Sequence, residues 1–245
     1  MPILSPPHAE EASVRSRLEA RSWLMQGVRK VAMTVVKICG ISTGDTLDAA
    51  LDAGADVVGF VSFPESPRHV EPDRLAALAA RVAGRAKIAL LTVDADDALL
   101  TALVAVSAPH ILQLHGQETP ERVADLKARF GREVWKAVAI SEAADLARAE
   151  SYWEAADRVL FDARPPKGSE LPGGNGVAFD WELLAGLDPR RPFVLSGGLK
   201  SGNVREALGV TRAPVVDVSS GVESAPGVKD PERIEAFVRA VRVAS

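Results

Sequence analysis

The sequence is poor in the residues that build disulfides and metal sites, and it lacks any long apolar run. It contains one cysteine, Cys39, so no internal disulfide can form, as expected of a protein from the reducing cytoplasm. Its four histidines show neither an HxH nor an HExxH spacing, so we expect no metal site. No stretch approaches the roughly 18 apolar residues of a membrane span, so we expect no membrane association.

The overall composition is that of an ordinary globular protein. Hydrophobic residues make up 47% and charged residues 25% of the 245 residues, enough for one large α/β barrel or two smaller domains. The net charge of −4 and the pI of about 5.7 give no sign of a basic surface. We therefore expect no nucleic-acid partner.

Short β-branched runs alternate with helical runs rich in Ala, Leu and Arg from Met33 onward. The predicted strands cover 34–39, 56–61, 87–92, 110–114, 134–139, 158–162, 192–195 and 214–218. The predicted helices cover 44–53, 72–83, 96–106, 119–130, 142–150, 180–186, 201–208 and 231–243. Eight β/α pairs predict a single (βα)8 barrel, a parallel α/β fold. An open doubly wound sheet is the alternative, and the regular pairing without a change in composition favours the barrel.

Two segments stand apart from this alternation. Residues 1–32 begin with three prolines and continue into an Arg-containing, helix-like stretch; their glutamates argue against a transit peptide. We expect an N-terminal extension that is dispensable, followed by a catalytic barrel domain over 33–245. The Pro- and Gly-rich connection 163–179 would lie on the catalytic face as a lid, or it is a passive linker.

The first and last predicted strands carry charged and reactive side chains. Side chains alternate along a strand, so Lys37 and Cys39 share one face of the first strand, which we expect to point into the barrel. A nearby lysine would favour the thiolate and make Cys39 a better base, although an isolated cysteine is more often a small core residue. Closure of the barrel would let Asp217 of the eighth strand pair with Lys37.

Asp162 ends the sixth predicted strand, on the far side of the barrel from Cys39. Two proton-transferring groups on opposite sides of one pocket suit acid–base work on a bound substrate. A carboxylate that merely caps the following loop is the other interpretation.

Two Gly-containing turns follow the last two predicted strands, Gly197-Gly198 and Ser220-Gly221. Loops at these positions of a (βα)8 barrel often bind phosphate through their backbone N–H groups, which predicts a phosphorylated small-molecule substrate. Gly174, in the third Gly-rich segment 173–176, would close over the ligand.

Two further side chains are candidates for substrate binding. Arg68, in a loop fixed by prolines after the second strand, could form a bidentate pair with a carboxylate, or it is a surface residue. His115 ends the fourth strand and would face the pocket, although a lone histidine is more often a hydrogen-bonded scaffold residue.

Taken together, the sequence resembles the phosphoribosylanthranilate isomerases of tryptophan biosynthesis. The motifs lie in family order from Met33 to the C-terminus: VKICG (36–40), GADVVGF (54–60), SPRHV (66–70), QLHG (113–116), FDA (161–163), GGNG with FDW (173–181), LSGGL (195–199) with NV (203–204), and DVSSGVES (217–224) with PGVKD (226–230). The joint match is specific, whereas no single motif would be.

The resemblance implies an Amadori rearrangement on a (βα)8 barrel without a cofactor. Asp162 would be the general acid that opens the furanose ring to a Schiff base, and Cys39 the general base that removes the proton from sugar C2. Arg68 would hold the anthranilate carboxylate, and the loops at Gly197-Gly198 and Ser220-Gly221 would hold the phosphate. We expect a monomer, because a barrel of this size can stand alone.

Three features depart from the family pattern, and three alternatives stay open. Residues 1–32 have no counterpart, Asn175 stands where Ser or Thr is expected, and Glu65 places a negative charge beside Arg68. The related histidine-pathway isomerase uses two aspartates, and the next enzyme of the tryptophan pathway uses lysine and glutamate; Cys39 disfavours both. A non-catalytic barrel that binds a phosphorylated ligand would need neither Cys39 nor Asp162.

Overall fold

Eight parallel strands form a closed barrel in the computed structural model, which describes residues 33–164, 173, 174, 176, 178–188 and 191–244. Each strand pairs with its neighbours in chain order, and the first pairs with the last. The strands are β1 (Val35–Cys39), β2 (Val57–Ser62), β3 (Lys87–Thr92), β4 (Ile111–Leu114), β5 (Glu133–Ile140), β6 (Arg158–Ala163), β7 (Phe193–Leu195) and β8 (Val215–Val218). The predicted barrel is confirmed, and the doubly wound alternative is excluded.

A helix follows each barrel strand within the described residues. The helices are α1 (Gly44–Asp52), α2 (Pro72–Val82), α3 (Asp97–Ser107), α4 (Pro120–Phe130), α5 (Ala144–Glu150), α6 (Glu182–Ala185), α7 (Val204–Thr211) and α8 (Pro231–Ala244). Seven of them match the predicted ranges to within two residues at their N-termini. The exception is α7, which begins three residues late because the Asn203 side chain accepts a hydrogen bond from Lys200 N and donates one to Gly198 O.

Local sequence explains where several helices begin. The side chain of Asp96 accepts a hydrogen bond from Leu99 N, 2.8 Å away, and so caps α3. Thr119 caps α4 in the same way, and Pro120 occupies the first helical position, where a missing N–H costs nothing. Pro72 takes the equivalent position in α2. These caps fix the lengths of the loops that carry site residues.

The hydrophobic core has an outer and an inner part. The outer part lies between the strands and the helices and includes Val36 and Ile38 of β1. The inner part fills the barrel with residues from alternate positions of the strands: Val57, Ala89, Ile111, Trp135, Ala137, Leu160, Val194 and Val215. Cys39 packs above this layer with Val61 and Leu91. Lys37 and Cys39 therefore do face inward, as the strand alternation predicted.

A short hairpin after β8 is the part of the fold that the sequence did not predict. A 3-10 turn (Ser220–Val222) leads into β9 (Glu223–Ala225), which pairs antiparallel with β10 (Val228–Lys229) before α8 begins. The hairpin places Glu223 and Lys229 beside the carboxyl ends of the barrel strands, and both side chains are buried.

Parts of two predicted segments lie outside the described residues. The extension 1–32 is one of them, and so are residues 165–172, 175 and 177 of the predicted lid. In the described part of the chain, no helix has both the length and the apolar character needed to cross a membrane.

Candidate active site

A cavity of about 750 Å³, including its open mouth, lies at the carboxyl ends of the barrel strands. Eight of the nine residues that the sequence predicted for the site line it: Cys39, Arg68, His115, Asp162, Gly174, Gly197, Gly198 and Ser220. The ninth, Gly221, lies behind the wall, in close contact with the backbone of Leu199 and Lys200. Parallel strands bring these residues together from loops that are far apart in sequence.

Cys39 lies above a buried ion pair that joins the first and last strands. The β1–β8 register places Lys37 opposite Asp217, and Lys37 Nζ donates a hydrogen bond to Asp217 Oδ1 over 2.8 Å. Asp217 Oδ2 accepts a weaker bond from the Ser196 hydroxyl, 3.4 Å away. The Lys37–Asp217 pair predicted from the sequence is therefore present. Gly59 makes room for the thiol, since a Cβ there would lie 3.1 Å from Cys39 Sγ.

The pKa of Cys39 is raised, which corrects the prediction that Lys37 makes it a thiolate. Burial is the largest cause, because it penalises the charged form, and the charge of Asp217 adds to it. Lys37 lowers the pKa of the thiol, but not enough to reverse the shift. The sequence argument predicted the Lys37–Asp217 pair but did not weigh burial of the thiol or the effect of Asp217 on it.

Asp162 and His115 meet on the opposite side of the cavity. His115 Nε2 lies 3.3 Å from Asp162 Oδ2, and the other carboxylate oxygen accepts a hydrogen bond from Ala163 N over 3.0 Å. His115 Nδ1 lies 3.2 Å from the side-chain nitrogen of Gln113. A donor at Gln113 makes Nδ1 the acceptor and leaves the proton on Nε2, directed at Asp162.

A buried ion pair outside the barrel interior holds the loop that carries His115. Lys136 Nζ donates to the carbonyl oxygens of Leu114 and Gly116, on either side of His115, and lies 3.0 Å from Glu118 Oε2. The carboxylate of Glu118 also accepts hydrogen bonds from Gly116 N and from Asp94 N. These contacts fix the backbone at the end of β4.

Arg68 is buried, and its guanidinium is held by a carboxylate that the sequence did not indicate. Its Nε lies 2.7 Å from Glu223 Oε1 and its Nη2 lies 2.9 Å from Glu223 Oε2, a bidentate pair. Nη2 also donates to Gly174 O over 3.2 Å. Glu65 is exposed, and among the described residues the acid bonded to Arg68 is Glu223.

The pairing of Arg68 leaves one edge of its guanidinium for a ligand. Nη1 donates no hydrogen bond to another described residue, and a Cβ added at Gly174 would lie 2.7 Å from it. A substrate carboxylate can therefore accept a hydrogen bond from Nη1. The Nε–Nη2 edge is not available to it, because Glu223 already occupies that edge.

The glycine turns after β7 and β8 leave backbone groups unpaired. Gly197 and Gly198 have φ values of +82° and +64°, in the left-handed region that glycine adopts without strain. Gly197 and Gly221 make no hydrogen bond to another described residue. Free N–H groups on such turns are able to donate hydrogen bonds to an anion.

The Gly-rich segment that follows β6 comes close to the acid–base groups. A Cβ added at Gly173 would lie 2.5 Å from Asp162 Oδ2 and 2.7 Å from His115 Nε2. Only a glycine lets the backbone come this close. The departure at Asn175 lies outside the described residues.

Sequence reasoning missed Glu223, Lys229 and Gln113 as parts of the site. Glu223 and Lys229 lie in quoted motifs, DVSSGVES and PGVKD, but their role depends on the β9–β10 hairpin. Gln113 lines the cavity with its Oε1 buried and without a hydrogen-bond partner among the described residues. An amide beside His115 in QLHG was the available signal.

The fold and the site define a (βα)8-barrel protein. Its cavity brings together a thiol, a carboxylate, glycine turns and an arginine. Within the described residues, no group of three or more His, Cys, Asp or Glu side chains is placed to hold a metal ion.

Comparison with known proteins identifies the family. Residues 36–240 match the family model of N-(5'-phosphoribosyl)anthranilate (PRA) isomerase. A relative named N-(5'-phosphoribosyl)anthranilate isomerase, from Azorhizobium caulinodans, is 62% identical over 209 residues, covering 85% of this chain and 92% of that protein. The chain belongs to the N-(5'-phosphoribosyl)anthranilate isomerase family and is an enzyme of the isomerase class.

Two solved structures support the same assignment. One shows monomers generated from the dimeric phosphoribosylanthranilate isomerase of Thermotoga maritima; it is 34% identical with a TM-score of 0.75, over 86% of this chain and all of that chain. Another is a phosphoribosyl anthranilate isomerase in complex with reduced 1-(o-carboxyphenylamino)-1-deoxyribulose 5-phosphate, 33% identical with a TM-score of 0.76 over the same shares.

Proposed function

We propose that the chain converts N-(5-phospho-β-D-ribosyl)anthranilate to 1-(2-carboxyphenylamino)-1-deoxy-D-ribulose 5-phosphate in tryptophan biosynthesis, with Asp162 as general acid and Cys39 as general base. One observation carries this proposal: both groups line a single cavity, with unpaired glycine backbone on one wall and Arg68 on another. The family membership of the chain and the phosphorylated ligand of its structural relative agree with it.

The substrate has two anionic ends that match two parts of the cavity. The phosphate would accept hydrogen bonds from the turns at Gly197-Gly198 and Ser220-Gly221, which require no charged side chain. The anthranilate carboxylate would lie against Nη1 of Arg68 as a charge-assisted hydrogen bond. The ribose would then span the cavity between Cys39 and Asp162.

The first step opens the furanose ring. Asp162 donates a proton to the ring oxygen, the bond from C1 to that oxygen breaks, and the nitrogen lone pair forms a protonated Schiff base at C1. The Nε2–H of His115, 3.3 Å from Asp162 Oδ2, stabilises the carboxylate that remains. His115 thereby acts through Asp162 in this step.

The second step moves the double bond along the sugar. Cys39 removes the proton from C2, and the electrons neutralise the Schiff base to give an enolamine. Before this step the thiol of Cys39 loses its proton to solvent at the open mouth of the cavity, and the cationic nitrogen favours that loss because it offsets the burial that raises the pKa of Cys39. Cys39 then gives the proton taken from C2 to C1, Asp162 regains one from the C2 hydroxyl, and the ketone results. The thiol recovers its own proton from solvent when the product leaves, so the balance requires no cofactor.

Single substitutions separate this function from the alternatives. Cys39→Ser and Asp162→Asn should each lose most turnover while binding the reduced product analogue with nearly unchanged affinity. A non-catalytic phosphate-binding barrel would show no turnover in the wild type and the same analogue binding in all three proteins. Wild-type turnover of a different aminoaldose phosphate would favour a related sugar-phosphate isomerase.

The location, assembly and domain organisation belong to the same proposal. A single buried cysteine that must stay reduced suits the cytoplasm. A complete cavity built from one barrel supports a monomer, although the Thermotoga maritima relative is described as dimeric. Residues 1–32 would be dispensable for catalysis, since the match to the family model covers residues 36–240.

A further inference from the structure

A buried cluster of three charged side chains lies behind the cavity wall. Glu223 is at its centre: one side of its carboxylate binds Arg68, and Lys229 Nζ lies 2.6 Å from its Oε1. All three side chains are at most 7% exposed. Gly227 N also donates to Glu223 Oε2 over 3.2 Å, so the hairpin turn orients the carboxylate.

Lys229 extends this cluster to the turn after β8. Its Nζ donates to the backbone oxygen of Ser219 over 3.0 Å and to the Ser219 hydroxyl over 3.1 Å. Ser219 directly precedes Ser220 and Gly221, the turn proposed to bind phosphate. Arg68, proposed to bind the carboxylate, is therefore connected to the phosphate turn through Glu223 and Lys229.

The cluster has a charge balance that fits this arrangement. Two cations share one anion, so the cluster carries a net charge of about +1 before a dianionic or trianionic ligand arrives. The pKa of Glu223 is lowered, because hydrogen bonds from Arg68 and the charge of Lys229 outweigh burial. Glu223 thus remains an anion that both cations need in order to stay buried.

We propose that Glu223 and Lys229 are positioning residues that hold the carboxylate-binding Arg68 and the phosphate-binding turn at Ser220-Gly221 at a fixed separation. This inference rests on the proposed function, which assigns those two binding sites. Glu223 acts through Arg68: by occupying the Nε–Nη2 edge, it leaves Nη1 as the guanidinium nitrogen for a ligand. Lys229 acts through Ser219: by donating hydrogen bonds to its carbonyl and hydroxyl oxygens, it fixes the backbone that leads into Ser220.

A simple structural role would predict a different result from positioning. Loss of a stabilising ion pair would reduce the amount of folded enzyme without changing its KM. Loss of positioning would raise KM, with kcat nearly preserved, since Cys39 and Asp162 are untouched. The two ends of the substrate should also respond separately, because Glu223 faces Arg68 and Lys229 faces Ser219.

The experiment compares full-length wild type with Glu223→Gln, Glu223→Asp and Lys229→Met. The readouts are kcat and KM with phosphoribosylanthranilate formed in situ, calorimetric affinity for the reduced product analogue, and displacement of that analogue by inorganic phosphate. Glu133→Gln is the matched control, because Glu133 contacts Arg158 over 3.1 Å and Lys87 over 3.7 Å at the opposite end of the barrel. Thermal melting and circular dichroism establish which variants fold.

We expect either folded Glu223 variant to raise KM and the analogue dissociation constant about tenfold or more, with kcat within about threefold of wild type. The affinity for inorganic phosphate, obtained from the displacement experiment, should change less than about twofold in the Glu223 variants. In Lys229→Met it should weaken about tenfold, because Ser219 is no longer held. Glu133→Gln should match wild type in every kinetic readout.

Arg68→Ala distinguishes failure of this inference from failure of the proposed function. If Arg68→Ala raises KM while the Glu223 variants keep wild-type KM and analogue affinity, the positioning role is overturned, and Arg68 remains the proposed carboxylate-binding residue. If Arg68→Ala itself keeps wild-type KM, the proposal that Arg68 binds the substrate carboxylate is overturned. Equal KM changes in Glu133→Gln and Glu223→Gln would also overturn the positioning role.

Discussion

Lys37 of β1 and Asp217 of β8 meet inside the barrel, with Nζ 2.8 Å from Oδ1 and both side chains at most 5% exposed. The pair joins the first strand to the last at the level below Cys39. The pKa of Lys37 is raised: burial lowers it, but the attraction of Asp217 and of Cys39 outweighs that effect. The ammonium therefore stays charged, and its charge serves mainly to balance Asp217.

The Lys37–Asp217 pair should be costly to break on one side only. We expect Asp217→Asn to reduce the free energy of unfolding by about 3–5 kcal/mol, because it leaves a buried ammonium without its counterion. The double variant Lys37→Met/Asp217→Leu should lose less, since neither charge remains. Urea denaturation measures both.

The exposed pair of Arg85 and Asp52, 2.6 Å apart, supplies the control for this prediction. Asp52→Asn should leave the urea midpoint unchanged within error, because exposed pairs contribute little. A double variant Lys37→Met/Asp217→Leu no more stable than Asp217→Asn would contradict the account.

The thiol of Cys39 should titrate above the ordinary value of 9.0 in the substrate-free protein. Because the chain has one cysteine, the thiolate absorbance near 240 nm, after subtraction of a Cys39→Ser blank, follows this group alone. The folded protein then holds the thiol proton more tightly than the unfolded chain does. This contribution to stability is complete below the unfolded pKa and is lost as pH rises through the folded one. A thiolate signal at neutral pH would contradict the assignment.

Gly221 should not tolerate even a methyl group. A Cβ at this position would collide with the carbonyl oxygen of Leu199, which is backbone and cannot rotate away. Since the collision pushes apart the turns after β7 and β8, we expect Gly221→Ala to raise KM roughly 10- to 100-fold. Steady-state kinetics and displacement of the product analogue by inorganic phosphate provide the measurement.

Gly202→Ala is the matched control, since nothing lies within 4 Å of a Cβ there and its φ is not positive. That variant should keep wild-type KM. Equal effects of Ala at Gly202 and Gly221 would argue against a specific collision.

Removal of residues 1–32 should leave catalysis intact. The match to the family model covers residues 36–240, and Arg242 closes the start of the barrel by donating to Thr34 O over 2.7 Å. We expect a variant that begins at Met33 to keep kcat and KM within about twofold of the full chain, since it loses none of the described cavity residues. A truncated protein that fails to fold, or that folds without activity, would refute the expectation.

The sequence predicted the barrel because its signals are local. β-Branched runs, helix-capping residues such as Asp96 and prolines at first helical positions each act within a few residues. The Lys37–Asp217 pair could also be predicted, since closure of a barrel brings the first and last strands together and the alternation of side chains sets the facing positions.

The contacts that the sequence could not reveal are long-range and depend on side-chain geometry. Glu223 reaches Arg68 across 155 positions. Pro226-Gly227 indicates a turn, but a local turn signal does not show which distant side chain the hairpin contacts. The direction of the Cys39 shift was missed because proximity to Lys37 was considered without the burial and the competing Asp217. Both the partner of Arg68 and the direction of the Cys39 pKa shift depend on which buried charges lie next to each other in the folded protein.

The most direct test of the account is turnover of phosphoribosylanthranilate, formed in situ and followed by the loss of anthranilate fluorescence, in wild type, Cys39→Ala and Asp162→Asn. The account predicts rapid wild-type turnover and losses of at least about 100-fold in kcat for each variant, the low end for general acid–base groups, with affinity for the product analogue preserved. Retained turnover in both variants would contradict the assignment of base and acid.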